Sequence, residues 1–202
     1  MLYLVRHGKT AYNAERRLQG QMDIPLCYEG ILQAEELSLR LQKEGRSFGA
    51  LYSSSLQRAK VTAGIIGRRM GIEPITVPGL EEIYFGKFQS HTFAEIAVIY
   101  PEEFAAYSAD REHCAPHGGE TPGQVLERAR RTLLSLPEVK RLMAGEEAPD
   151  TLVVCHGAVI AYLRAAARGQ SLAEITELIP KNAELIPISA GELKLISEYA
   201  IK

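Results

Sequence analysis

Cysteine is scarce: three residues, Cys27, Cys114 and Cys155, are scattered over 202 positions, and no C-x-x-C occurs. An odd, dispersed set supports neither a disulfide framework nor a zinc ribbon, and a reducing compartment is the simplest reading. No apolar run approaches the roughly 18 residues that a membrane span needs. Arg6 and His7 break the first apolar run early, so the amino terminus does not read as a signal peptide. A cytoplasmic protein is expected. Excess positive charge is also missing: 23 Lys and Arg stand against 25 Asp and Glu, a formal net charge of -2. That argues against broad nucleic-acid binding, while leaving room for a local basic pocket. There is no Walker A motif and no G-x-G-x-x-G, so nucleotide binding by those routes is unsupported. Internal repeats and low-complexity segments are absent. What is left is a chain of ordinary composition, long enough to bury a sizeable core in one domain.

Two junctions carry the information. Leu2-Tyr3-Leu4-Val5 ends in Arg6-His7-Gly8, and Thr151-Leu152-Val153-Val154-Cys155 ends in His156-Gly157. Each reads as a strand delivering a histidine at its carboxyl end, which is where open α/β sheets bind ligands. Either histidine alone could simply terminate a strand. Two such junctions, one with Arg6 adjacent, point to a site where both converge. A third strand end, Leu51-Tyr52-Ser53-Ser54-Ser55, leads into a helix whose first turn carries Arg58. A cation there opposes the helix dipole by a few tenths of a kcal/mol, tolerable where it faces an anion. Two guanidinium forks suit a tetrahedral dianion, and the helix start after His156 adds backbone donors. A metal held by His7 and His156 is the competing reading, and the flanking arginines would repel a cation. Cys155, within an apolar run, reads as a small buried residue rather than a nucleophile.

Strand-like and helix-like stretches alternate, as in a mostly parallel sheet covered by helices. Helices are expected over about 30–43, from a Ser54 or Ser55 cap to Met70, at 92–99 and 101–109, over 121–136 and over 158–167. Residues 73–77 read as a short strand. Residues 137–150 read as a polar connection, and 183–188 with 192–197 as an antiparallel hairpin at a sheet edge. The irregular stretch 78–119 is expected to cover the active site. It holds His91, His113 and His117, read as solvated or capping residues. Arg128, Arg130 and Arg131 read as a solvated helix face.

Arg6-His7-Gly8-Lys9-Thr10, with Asn13 close behind, resembles the signature of the histidine phosphatase superfamily, which includes cofactor-dependent phosphoglycerate mutases. Gln19-Gly20-Gln21-Met22-Asp23-Ile24-Pro25-Leu26, Ser53 to Ala59, Leu80 to Phe88, Gly118-Gly119-Glu120 and Val153 to Gly157 resemble further blocks of that family, in its order. The resemblance implies a three-layer α/β/α sandwich with a mostly parallel sheet and an antiparallel edge strand, formed by residues 1–202 as a single domain. It implies His7 as nucleophile and transient phosphohistidine, with Arg6, Arg58 and His156 on the phosphoryl group. Glu82, rather than Glu81, would be the proton donor. Asn13, Gln19, Gly20 and Gly157 would line the phosphate site. Lys9, Phe88-Gln89 and Ser90 depart from the commoner Glu, Trp-containing pair and Gly, which bears on substrate more than on chemistry. The implied activity is metal-independent hydrolysis of small phosphorylated metabolites, α-ribazole phosphate among the candidates. No cofactor, nucleic acid or membrane is implied, and a monomer or homodimer is expected. A phosphoglycerate mutase, or a non-catalytic binder of phosphorylated ligands, uses the same residues as alternatives.

Overall fold

The computed structural model describes residues 1–201. Its elements run β1 (Leu2–Arg6), α1 (Ala11–Glu15), α2 (Tyr28–Lys43), β2 (Ala50–Ser53), α3 (Gln57–Met70), β3 (Ile75–Thr76), α4 (Phe93–Ile99), α5 (Pro101–Ala109), α6 (Pro122–Ser135), α7 (Pro137–Met143), β4 (Thr151–Cys155), α8 (Gly157–Ala167), β5 (Leu185–Ile188) and α9 (Ala190–Glu198). The sheet order is β3-β2-β4-β1-β5. All neighbours are parallel except β5, which lies antiparallel to β1 at the edge.

Strand side chains alternate between faces, and the two faces bury different partners. Leu2, Leu4, Val153 and Cys155 pack with Val125, Leu126, Ala129, Val159, Leu163 and Leu193 from α6, α8 and α9. Tyr3, Val5, Leu152 and Val154 pack with Leu37, Leu41, Ala59, Ala63 and Ile66 from α2 and α3. Helices therefore cover both faces, and the three-layer sandwich with one antiparallel edge strand is the observed architecture. Every residue of β4 is buried, as its unbroken apolar run requires for a strand covered on both sides.

Three expectations fail locally, each for a physical reason. The second arm of the carboxyl-terminal hairpin is a helix, α9. Ser189 and Glu192 form a capping box, and Leu193 and Ile196, three apart, face the core while Leu195 is exposed. Half of the polar connection at 137–150 is helix α7, entered through Pro137 at its first turn and anchored by buried Val139. Neither Ser54 nor Ser55 caps α3. Leu56 occupies the cap position, and the Asp23 carboxylate accepts from the Gln57 N–H at 2.7 Å. Among the described residues, no helix is long and apolar enough to cross a membrane.

Candidate active site

Parallel pairing assembles the site. β1 and β4 run in register with Arg6 opposite Cys155, so the residues that follow, His7 and His156, emerge side by side. Their ring centroids are 5.1 Å apart, and the His7 N–H donates to the Cys155 carbonyl at 3.0 Å. β2 pairs with the other side of β4, which sets Ser54 beside His156: the two are 2.8 Å apart, Oγ to Nε2. Arg58, the second residue of α3, is wholly buried. Its terminal nitrogens donate to the carbonyls of Met22 and Gly20, each at 2.7 Å.

Hydrogen bonding sets the tautomer of His7. Arg58 Nε can only donate, and it lies 3.3 Å from His7 Nε2. Nε2 therefore carries the lone pair and Nδ1 the proton, which is donated to the Gly8 carbonyl at 2.7 Å. Burial and the nearby Arg58 and Arg6 hold the His7 pKa well below 6.5. His156 is lowered likewise, by burial first, then by Arg58 and His7. Both rings are neutral at neutral pH, and one presents a nucleophilic nitrogen.

Arg6 donates to the Pro180 carbonyl at 2.7 Å. Its Nε and His156 Nδ1 are buried without a partner among the described residues. A buried polar atom left unmatched is costly, and here two stand on residues that flank His7 in the assembled sheet. Arg6 and His7 border a cavity of about 160 Å³ lined also by Asn13, Arg17, Gln19, Gly20, Arg58, Glu82 and Gly157, with apolar walls at Leu18, Phe85, Ala158 and Ile179; His156 lies behind the lining, its ring against that of His7. A Cβ on Gly157 would lie 3.2 Å from Arg6 Nε, so glycine there keeps the guanidinium in reach of the first amide of α8.

Glu82 reaches the cavity from the irregular stretch 78–85. Its carboxylate accepts from the N–H groups of Ile83 (3.1 Å) and Ala158 (3.3 Å). Asn13 Oδ1 caps α1 through the Thr10 N–H and also accepts from Asn182. Buried Gln19 accepts from the Thr10 hydroxyl at 2.9 Å. Every predicted site residue is thus at, or in contact with, one cavity. Among the described residues, no group of three or more His, Cys, Asp and Glu side chains could hold a metal ion.

Several supporting residues were not legible beforehand. Asn182 donates to the His7 carbonyl at 2.9 Å. Thr62 accepts from the Gly8 N–H at 3.0 Å. Ser55 donates to Glu81 on the loop that carries Glu82, and Ser54 meets His156, so neither hydroxyl is spent capping α3. Arg131 is exposed, as expected, but Arg128 is not on a solvated face. It turns inward onto the loop carrying Glu82, and Arg130 ties to the Tyr199 carbonyl. His91, His113 and His117 lie outside the cavity, the first two bonded to Gln89 and Asp110. Ser90, expected as a departure from glycine, has φ +65°, a conformation that glycine adopts without strain. Cys155 is fully buried and its thiol is pushed up to about 12, which makes it a packing residue.

Residues 2–194 match the histidine phosphatase superfamily, branch 1. The chain belongs to that superfamily. It is 36% identical over 169 residues to phosphoglycerate mutase-like protein 4 of Arabidopsis thaliana, covering 83% of this chain and 70% of that one. It is 38% identical over 167 residues to a metal-independent phosphoserine phosphatase of the same plant, covering 81% and 67%. A solved structure of a putative alpha-ribazole-5'-P phosphatase from Escherichia coli is similar at a TM-score of 0.78 and 27% identity, covering 91% and 87%. By these relatives the chain is a phosphatase of the superfamily, the class its motifs imply.

Proposed function

We propose that this histidine phosphatase hydrolyses small phosphomonoesters through a phosphohistidine on His7, without a metal. The observation that carries the reading is the convergence of a neutral His7 Nε2, Arg58 and Arg6, whose Nε is buried and unmatched, on one small cavity, with the His156 ring packed against His7. The Nε2 lone pair attacks phosphorus as the ester P–O bond breaks, and protonated Glu82 gives its proton to the departing oxygen. Splitting the reaction this way lets an uncharged nucleophile approach a dianion. Arg6, Arg58 and His156 face the equatorial oxygens, where fixed donors stabilise charge as it builds. Water then attacks phosphorus, the Glu82 carboxylate takes its proton, and the N–P electron pair returns to Nε2. Asn13, Gln19, Gly20 and the Gly157 N–H complete the phosphate site. A role for the stretch 78–119 over the site is supported by Glu82 and Phe85, which line the cavity, and Phe88, Ile96 and Tyr107 give the stretch a small apolar cluster of its own.

A cavity of about 160 Å³ favours compact substrates, in keeping with a phosphoserine phosphatase among the relatives. The test is phosphate release in chelator from p-nitrophenyl phosphate, phosphoserine, α-ribazole phosphate and 3-phosphoglycerate, the last with and without 2,3-bisphosphoglycerate. Release unaffected by chelator, abolished by His7→Ala in a folded protein, is expected. Bisphosphate-dependent interconversion of 3- and 2-phosphoglycerate without release would move the chain to the mutase reaction. Saturable binding without turnover would make it a phospho-ligand module.

A further inference from the structure

Glu82 sits in a stretch, residues 79–85, with no helix or strand to hold it. Backbone groups in such a segment need other partners. Here three of the carbonyls find theirs in Arg128 on α6. Its guanidinium donates through Nη1 to the carbonyls of Gly79 (3.1 Å) and Glu81 (2.6 Å) and through Nη2 to the carbonyl of Glu82 (3.0 Å). The remaining two N–H groups grip Glu120 in a fork, at 2.7 and 2.9 Å. All five donors of the side chain are used. Glu120 holds the far end of the same loop: its carboxylate accepts from the Tyr84 N–H at 2.8 Å, and its own N–H donates to the Tyr84 carbonyl at 2.8 Å. Gln21 adds a second donor to the Glu82 carbonyl at 3.1 Å.

We propose that Arg128, oriented by Glu120, is a positioning residue that fixes the Glu82 backbone so that its carboxyl reaches the leaving oxygen. This rests on Glu82 being the proton donor. The arrangement is not a surface ion pair, which would contribute little. Side-chain exposure is 17% for Arg128 and 21% for Glu120, and the pair is bidentate, the geometry that adds direction as well as strength. Lysine cannot replace it, because three rotatable donors on a point charge do not span three carbonyls and a carboxylate. The peptide that bears the acid is held from two sides, by Arg128 and Gln21, while its side chain rests on the start of α8. Loss of the clamp lets that peptide drift, and a displacement of about 1 Å at a catalytic group can cost on the order of 10²-fold in rate.

The readout must separate a misplaced acid from a weakened fold or phosphate site. Three esters of similar shape and increasingly basic leaving groups serve: p-nitrophenyl, phenyl and benzyl phosphate. kcat/KM reports only the steps through departure of the leaving group, so it excludes the later hydrolysis in which Glu82 acts as base. Arg128→Gln should lose a few-fold on p-nitrophenyl phosphate and on the order of 10²-fold on benzyl phosphate, the ester that most needs a proton. Arg128→Lys should behave the same; full rescue by lysine would reduce the role to charge and overturn the fork. In an Glu82→Gln background, Arg128→Gln should add no further dependence on the leaving group. Equal losses on all three esters, or losses that add in the double variant, would overturn the proposal. A flat loss for Glu82→Gln alone would instead remove the acid assignment. Should the Arg128 variants fail to fold, Glu120→Gln tests the same clamp from its other end, with the same graded loss expected and a flat one contrary.

Discussion

Lowering the pH from 8 to 5.5 should remove stability through the two site histidines. In the folded protein His7 and His156 are buried beside Arg58 and Arg6, and each pKa lies well below 6.5. In the unfolded chain each takes up a proton near its ordinary value of about 6.5. Between that value and the depressed folded one, the unfolded state binds more protons, so stability falls as the pH falls. At pH 5.5, about one unit below the unfolded pKa, a histidine that stays neutral in the folded protein withdraws at most roughly 1.4 kcal/mol, and the pair at most about 3 kcal/mol. That is a large share of the 5–15 kcal/mol, roughly, that holds an ordinary domain folded. The paired carboxylates Glu95 and Asp110 sit below their ordinary values, so they titrate beneath this window. Urea unfolding followed by circular dichroism at both pH values gives the difference directly. The buffers must be free of phosphate, because an anion bound only to the folded state adds its own stabilisation. His156→Gln should halve the effect. A wild-type difference under about 1 kcal/mol, or one unchanged in the variant, would refute the claim that two neutral buried imidazoles are built into the fold.

Other expectations are simpler to check. Gly8 and Gly30 pass so closely that a Cβ on Gly30 would lie 2.0 Å from the Lys9 carbonyl oxygen; Gly30→Ala should cost on the order of 3 kcal/mol in urea unfolding. Arg58→Met should lower kcat/KM by roughly 10²–10³-fold on every ester, p-nitrophenyl phosphate included, because it removes a donor to the phosphoryl group rather than to the leaving oxygen. Thiol titration of the folded protein at pH 8 should count Cys27 and Cys114, which are partly exposed, and miss buried Cys155 until denaturant is added.

The strand ends were readable because burial on both sides of a sheet demands an unbroken apolar run, and the polar residue that ends the run stands out. Arg6, His7 and His156 were found that way. Arg128 was hidden because a helix read by itself shows three arginines on a polar face. Only the loop at 79–84, packed against α6, reveals that one of them turns inward. The α9 error had a visible cue in Ser189 and Glu192, a capping box spacing. At Ser54 the local rule for helix caps lost to a tertiary demand, since its hydroxyl is drawn to His156.

By itself the sequence determined the class of fold, the order of the strands along the chain and the chemical kinds at their ends. Apolar periodicity and burial are local bookkeeping that each segment carries with it. The tertiary structure decided what met what. Parallel pairing of β1 with β4, almost 150 residues apart, put His7 against His156. Burial beside Arg58 then lowered both rings, and hydrogen bonds with Arg58 and Gly8 fixed the tautomer of one. Distance, dielectric and hydrogen-bond direction are properties of an assembled interior, and no single segment contains them.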